Sequence, residues 1–130
     1  MQSVKELSFK KFIPGVIWFI VVVILTTMPG KDIPQSELFF KNFDKLVHVG
    51  IFGLLALLFC LPFYKTSVPN QKKIRYFIII ALLTSVFGYS IELIQKYWAE
   101  GRGYDLMDWL ADSAGALGAF IFSRIVFTRN

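Results

Sequence analysis

Four long apolar runs, separated by short polar stretches, make up most of the chain. They cover residues 12–28, 46–64, 76–95 and 106–127. Each is close to the roughly 17–25 residues that a helix needs to cross hydrocarbon, and none alternates like a barrel strand. Because a helix in lipid satisfies its own backbone hydrogen bonds, the pattern predicts an all-α, polytopic membrane protein. We expect a four-transmembrane-helix bundle that forms one domain over residues 1–130.

Composition agrees with this fold class. The chain is 55% hydrophobic and 18% charged, whereas soluble domains are about 45–50% apolar and about 25% charged. The net charge of +5 comes from basic residues that flank the apolar runs, so it favours contact with membrane lipids and no nucleic-acid partner. The single cysteine, Cys60, excludes an internal disulfide and is typical of a small packing residue.

The distribution of Lys and Arg predicts the orientation. With four crossings, nine of these residues fall on the side that holds both termini and five on the other. Short cytoplasmic loops carry the excess of basic residues, so we expect both the N and C termini to be cytoplasmic and the cell membrane to be the location. The first run ends in Thr26, Thr27, Met28 and Pro29 rather than in a small-x-small cleavage site, so we expect a permanent helix.

Ionisable and amide residues gather at three predicted helix ends. They lie at the start of the second helix, the end of the third and the start of the fourth: Asp44, Lys45 and His48; Glu92 and Gln95; Arg102, Asp105, Asp108 and Asp112. Four crossings bring these three ends to one face of the membrane, the extracytoplasmic one in the predicted orientation. Charged groups within transmembrane segments are costly and typical of functional sites.

Several of these residues have simpler interpretations. Asp44 and Asp105 suit the N-caps of their helices, where the helix dipole favours an acid. Arg102 suits either a lipid phosphate or a salt bridge to Asp105 or Asp108. His48 could pack and donate one hydrogen bond, but as the only histidine, beside several carboxylates, it is the stronger functional candidate.

The carboxylates in this region outnumber the cations. Lys45 and Arg102 offset two charges, and the remaining acids must be protonated, hydrated or neutralised by a bound cation. Glu92 and Asp112 are the hardest to explain as idle residues, because helix interiors in lipid rarely tolerate an unused acid. A divalent cation is therefore a candidate cofactor, although the chain has neither a second histidine nor an HExxH pattern.

Small residues on the fourth predicted helix indicate close helix packing. Ala111, Gly115 and Ala119 recur every fourth residue, and Ala114 and Gly118 form a second such series. Small residues at this spacing let two helices approach closely in a membrane. No glycine-rich phosphate loop follows a strand, so packing is the preferred interpretation.

Three ordered motifs resemble those of VanZ-like membrane proteins, a family associated with resistance to the glycopeptide teicoplanin. The segments that carry the resemblance are Asp44 to His48 with Phe52, Glu92 to Gln95, and Arg102 to Asp108. The resemblance covers about Thr27 to Gly118, and Asp112 departs from the asparagine usual in the family. It implies a role in the cell envelope and in antibiotic resistance, and it supplies no biochemical activity.

Two functions are consistent with these residues, and they leave open whether the protein is an enzyme. In the first, the site binds or processes an envelope lipid or lipid-linked precursor. Its candidate catalytic residues are His48, Glu92 and Asp108. Its candidate binding residues are Asp44, Lys45, Gln95, Arg102, Asp105 and Asp112.

In the second function, the same residues form a structural network that joins helices in a non-catalytic partner or modulator of envelope proteins. This hypothesis pairs Arg102 with Asp105 or Asp108, and His48 with Glu92. Ion or solute transport is a weaker third interpretation, because four helices leave little room for a pore and no inverted repeat is apparent.

Overall fold

A computed structural model describes residues 7–27, 43–97 and 106–128, without the side chains of residues 27, 43, 44, 95 and 96. These residues contain four α-helices and two short 3-10 turns, and no strand. The helices are α1 (Ile13–Thr27), α2 (Phe43–Cys60), α3 (Asn70–Tyr97) and α4 (Leu106–Val126), and the 3-10 turns are Phe9–Phe12 and Leu61–Phe63. All four helical segments are long and apolar enough to cross a membrane. The all-α prediction with four membrane-length helices is confirmed.

Proline residues account for where several elements start and stop. Pro14 lies in the first turn of α1, where its missing N–H is not needed by the helix. Pro62 lies two residues beyond the last residue of α2, within the 3-10 turn Leu61–Phe63, and the helix ends at Cys60 rather than at residue 64 as predicted. Pro69 directly precedes α3, which begins at Asn70, six residues before the predicted start.

The helices alternate in direction, and α4 packs most extensively against α2 and then α3, whereas α1 makes fewer contacts. The start of α1, the end of α2, the start of α3 and the end of α4 come together around a group of rings that we call the aromatic end. Its members are Phe12, Phe63, Phe77 and Phe127.

The outer surface is apolar as well, with Leu83 and Val86 each 62% exposed, as expected for helices that face lipid. The side of the membrane that each end faces stays a prediction.

Glycine at two positions allows α2 and α4 to approach closely. A Cβ atom built on Gly115 would lie 2.3 Å from the Val49 carbonyl oxygen and 2.8 Å from the Gly53 nitrogen. Ala111 and Ala119 are buried on the same face, which confirms the first small-residue series as a packing seam. The prediction that Ala114 and Gly118 also form a packing seam was wrong.

The second series fails because it points away from the other helices. Ala114 and Gly118 are exposed, and a Cβ atom on Gly118 would meet nothing within 4 Å. The two series lie about 60° apart around the helix, since three residues advance it by about 300°. Only the first therefore faces α2 at the point of closest approach.

Candidate functional site

Five ionisable side chains from three helices meet at the end of the bundle opposite the aromatic end. They are Lys45 and His48 of α2, Glu92 of α3, and Asp108 and Asp112 of α4, and we call them the polar cluster. Glu92 and Asp112 are fully buried, and His48 and Asp108 are nearly so. The sequence predicted that these three helix ends share one face, and the described residues do meet there.

The closest contact in the polar cluster joins His48 to Asp112. His48 Nδ1 lies 2.6 Å from Asp112 Oδ1, so an ionised Asp112 accepts a hydrogen bond from the imidazole N–H at that position. The imidazole also stacks on Phe52, with the ring planes 5° apart and the centroids separated by 6.1 Å. The hydrogen bond and the stacking together fix the orientation of the ring.

The orientation of His48 directs its second nitrogen at Asp108. His48 Nε2 lies 3.7 Å from Asp108 Oδ2, which is beyond ordinary hydrogen-bond distance. Glu92 of α3 lies beside these two residues. One nitrogen of His48, one carboxylate oxygen of Glu92 and one of Asp108 lie within 4.8 Å of one another. Side chains in this arrangement can transfer a proton or hold a metal ion.

Lys45 supplies a positive charge at the edge of the cluster. Its Nζ lies 2.6 Å from Asp108 Oδ1, and the two side chains are 24% and 12% exposed. Lys45 and Asp108 sit 63 residues apart in sequence, so this ion pair joins the first turn of α2 to the first turn of α4. Asp108 therefore has one oxygen directed at Lys45 and the other at His48.

Gly88 on α3 makes room for the carboxylate of Asp112. A Cβ atom at Gly88 would lie 2.8 Å from Asp112 Oδ2 and 3.0 Å from Asp112 Cβ. Asp112 Oδ2 is buried and has no hydrogen-bond partner among the described residues. The closeness of α3 to α4 thus depends on the absence of a side chain at position 88.

Two residues beside the cluster were not among the predicted site residues. Ser113 Oγ lies 2.7 Å from Ser85 Oγ, and Trp109 Nε1 donates a hydrogen bond of 3.0 Å to the carbonyl oxygen of Ser85. Both contacts join α4 to α3 next to Asp112. The only sequence signal was their adjacency to Asp108 and Asp112.

Four of the predicted binding residues lie outside what the structure describes. They are the side chains of Asp44 and Gln95, and the residues Arg102 and Asp105. Their predicted roles stay predictions.

One pairing expected from the sequence takes a different form, and another lies partly outside the described residues. The non-catalytic hypothesis paired His48 with Glu92, but the hydrogen bond of His48 goes to Asp112. It also paired Arg102 with Asp105 or Asp108; Arg102 lies outside the described residues, so that pairing stays a prediction, while Asp108 contacts Lys45. Residues three or four apart share a helix face, but the rotation of each helix against its neighbours decides which of them touch.

Comparison of the chain with protein-family models, with curated proteins and with solved structures gives no match. The resemblance to VanZ-like proteins therefore stays a prediction that rests on its motifs.

Proposed function

We propose that the chain is a multi-pass protein of the cell membrane, with both termini cytoplasmic, that binds or processes an envelope lipid or a lipid-linked precursor at the polar cluster. The observation that supports this most is the His48 imidazole, held between Asp112 and Asp108 at the end of four apolar helices. Imidazole is the side chain that most often transfers protons in catalysis, and a carboxylate on its other nitrogen is the usual means of orienting it.

Basic residues give the proposed site a means of binding the acidic head of a lipid. Lys45 lies at the edge of the cluster and is partly exposed, so its ammonium can exchange Asp108 for a phosphate of the ligand. Arg102, which lies outside the described residues, is the second candidate for this role. Both would hold a phosphate or carboxylate beside His48.

An apolar groove next to the cluster suits the hydrocarbon part of the same ligand. The groove lies between α1, α2 and α3, has a volume of about 190 Å³, and is lined by rings and aliphatic side chains that include Phe19, Phe59 and Phe87. The Phe87 ring lies 5.6 Å from that of Phe52, which in turn stacks on His48. A lipid could thus place its head at the cluster and a chain in the groove.

The test uses the full chain purified into lipid nanodiscs and offered a polyprenyl-linked diphosphate or phosphatidylglycerol. Native mass spectrometry measures binding, and chromatography of the extracted lipid measures turnover. We expect His48→Ala and Asp108→Asn to reduce binding or turnover at least about tenfold, the size usual for a proton-transfer group. Ser90→Ala is the matched control, because Ser90 is exposed on the same end of α3 and bonds only its own helix. Binding and turnover that are indifferent to both site changes would refute the proposal.

A second candidate function follows from the two contacts that join α2 to α4. The Lys45–Asp108 and His48–Asp112 pairs could form a purely structural network in a non-catalytic partner or modulator of envelope proteins. In that case the site variants lower the melting temperature in proportion to their loss of function. Lost function with an unchanged melting temperature would favour the lipid site instead.

The motif resemblance adds a link to glycopeptide resistance as a proposal at the level of the cell. Cells that produce the chain are expected to tolerate teicoplanin better than cells that produce His48→Ala at equal abundance. If both groups of cells tolerate teicoplanin equally at equal protein abundance, the proposed role in glycopeptide resistance is refuted.

A further inference from the structure

We propose that His48, Glu92 and Asp108 bind a divalent metal ion of the zinc or manganese type between α2, α3 and α4. The three side chains come from three helices and are all buried, and one ligand atom from each lies within 4.8 Å of the others. The inference rests on the proposed function and revises one role within it: His48 is a metal ligand rather than the proton-transfer group. It concerns the same site, and metal binding itself needs no lipid.

The distance between His48 and Asp108 suits an ion that lies between them. Two ligands that each bind a zinc ion at about 2.0–2.2 Å lie roughly 3–4 Å from each other. The separation of 3.7 Å between His48 Nε2 and Asp108 Oδ2 falls in this range, whereas it is too long for a hydrogen bond. A proton held directly between the two atoms would bring them closer together.

The environment of His48 is an independent indication of a ligand at Nε2. The side chain is 9% exposed, and the hydrogen bond to Asp112 engages only Nδ1. Nε2 lies 3.7 Å from Asp108 Oδ2, too far for a hydrogen bond, and one nitrogen of the ring lies within 4.8 Å of a carboxylate oxygen of Glu92. A neutral imidazole with its N–H on Asp112 would place a lone pair against the Asp108 carboxylate, and a cation between the two atoms would relieve this repulsion.

Asp112 occupies the position that an outer carboxylate takes in protein metal sites. Histidine ligands almost always donate their second ring N–H to a carboxylate, a carbonyl or water, which fixes the ring and strengthens the bond to the metal. The 2.6 Å contact from His48 Nδ1 to Asp112 Oδ1 has this form. Asp112 is therefore a positioning residue in this proposal and not a ligand.

The charges within the cluster also favour a divalent cation. Glu92, Asp108 and Asp112 carry three carboxylates in a buried region, and Lys45 offsets one of them. Lys45 binds Oδ1 of Asp108 and leaves Oδ2 available to an ion. A cation at Asp108 Oδ2 would add positive charge where further carboxylates are buried, and buried carboxylates are costly within a membrane segment.

The donor atoms indicate the class of ion. One imidazole nitrogen with two carboxylate oxygens suits a borderline ion, whereas calcium and magnesium favour sites made of oxygen alone. Three protein ligands leave at least one position for water or for an oxygen of a bound phosphate. The site therefore has the form of an open metal centre.

The test measures metal bound to the full chain after purification without chelators. The protein is treated with EDTA, dialysed and titrated separately with Zn²⁺ and Mn²⁺, and bound metal is counted by inductively coupled plasma mass spectrometry. We expect about one ion per chain, at least about tenfold weaker binding in Glu92→Gln and His48→Ala, and unchanged binding in Ser90→Ala. Asp112→Asn should weaken binding about 10–100-fold, as changes in outer-shell carboxylates do.

The outcomes are interpretable even if one variant fails to fold. Glu92→Gln preserves the size of the side chain, so it keeps the test decisive where His48→Ala is unstable. A spectrum of tetrahedral or five-coordinate Co²⁺ that disappears in Glu92→Gln would support the site. Folded wild-type protein that binds neither metal, or binding that survives in His48→Ala and Glu92→Gln, would overturn it. Metal binding without lipid binding or turnover would support this inference and count against the proposed function. Lipid binding or turnover without metal binding would do the opposite.

Discussion

The aromatic end and the polar cluster hold the same helices together by different means. At the aromatic end Phe77 is fully buried and meets Phe63 and Phe127 edge to face, with centroids 5.9 and 6.3 Å away. At the other end the buried groups are carboxylates and an imidazole. Ring contacts of the first kind stabilise a fold, whereas buried charges rarely do so better than apolar residues of equal size. The aromatic end therefore accounts for stability, whereas stability alone is a weak explanation of the polar cluster.

The largest expected effect comes from forcing the helices apart beside the polar cluster. Gly115→Ala places a methyl group against the backbone of α2, so we expect a loss of about 3 kcal/mol or more in the free energy of unfolding. Maleimide labelling of Cys60 measures it, since Cys60 is the single cysteine and is 1% exposed until the bundle opens. Gly118→Ala, three residues away in open space, should label like the wild type. Equal labelling of both variants would contradict the close approach of α2 and α4.

The next effect tests the aromatic end. Phe77→Ala removes a fully buried ring and should cost about 3 kcal/mol, because the helices cannot close over the cavity. Leu82→Ala is the control, since Leu82 is 61% exposed on the lipid-facing surface of the same helix. Unfolding in detergent followed by circular dichroism gives both values. Below its melting temperature Phe77→Ala should still bind ligand or metal at the polar cluster, and loss of that binding would contradict the separation of the two ends.

A smaller effect separates charge from hydrogen bonding in the polar cluster. Asp112→Ala leaves His48 Nδ1 buried without an acceptor, so it should cost about 2 kcal/mol in chelator-treated protein. Asp112→Asn keeps an acceptor and removes a buried charge, and it should be at least as stable as the wild type. The labelling of Cys60 on heating compares the two. If Asp112→Asn were less stable than the wild type, the Asp112 carboxylate would stabilise the fold. That result would contradict the proposed difference between the polar cluster and the aromatic end.

The smallest expected effect concerns the pair at the edge. Lys45 is partly exposed to solvent beside the buried Asp108, so a double-mutant cycle with Lys45→Met and Asp108→Asn should give a coupling of about 1 kcal/mol. Thermal unfolding of the four proteins supplies the coupling energy. A value above about 3 kcal/mol would mark the pair as fully desolvated and structural.

The fold was largely predictable from the apolar runs, and the ends of the helices were not. Counting apolar residues locates the segment that crosses hydrocarbon. A helix can extend beyond that segment through polar residues, because its hydrogen bonds join backbone groups and do not require apolar side chains. α3 therefore extends back to Asn70 through polar residues, and α2 stops at Cys60, where Pro62 interrupts it while the apolar run continues.

The site was predictable as a group of residues and not as a set of contacts. Alternating helices bring the start of α2, the end of α3 and the start of α4 together, so His48, Glu92 and Asp108 share one end. Which partner each side chain meets depends on helix rotation, which is set by small contacts such as Gly53 against Gly115. Sequence spacing does not contain that rotation, and so the partner of His48 could not be derived from it.

The length of α3 has a consequence for how deep the site lies in the bilayer. Its 28 residues extend about 42 Å, whereas the hydrocarbon layer is about 30 Å thick. Lys72 and Arg75 are exposed near the beginning of α3, and basic side chains favour the head-group region of a leaflet. We expect them to set the depth at which α3 lies in the bilayer. Glu92 is 17 residues beyond Arg75, about 25 Å away, so we expect it to lie just inside the opposite boundary of the hydrocarbon layer. The length of α3 is therefore consistent with a position of the buried carboxylates close to the lipid head groups of one leaflet.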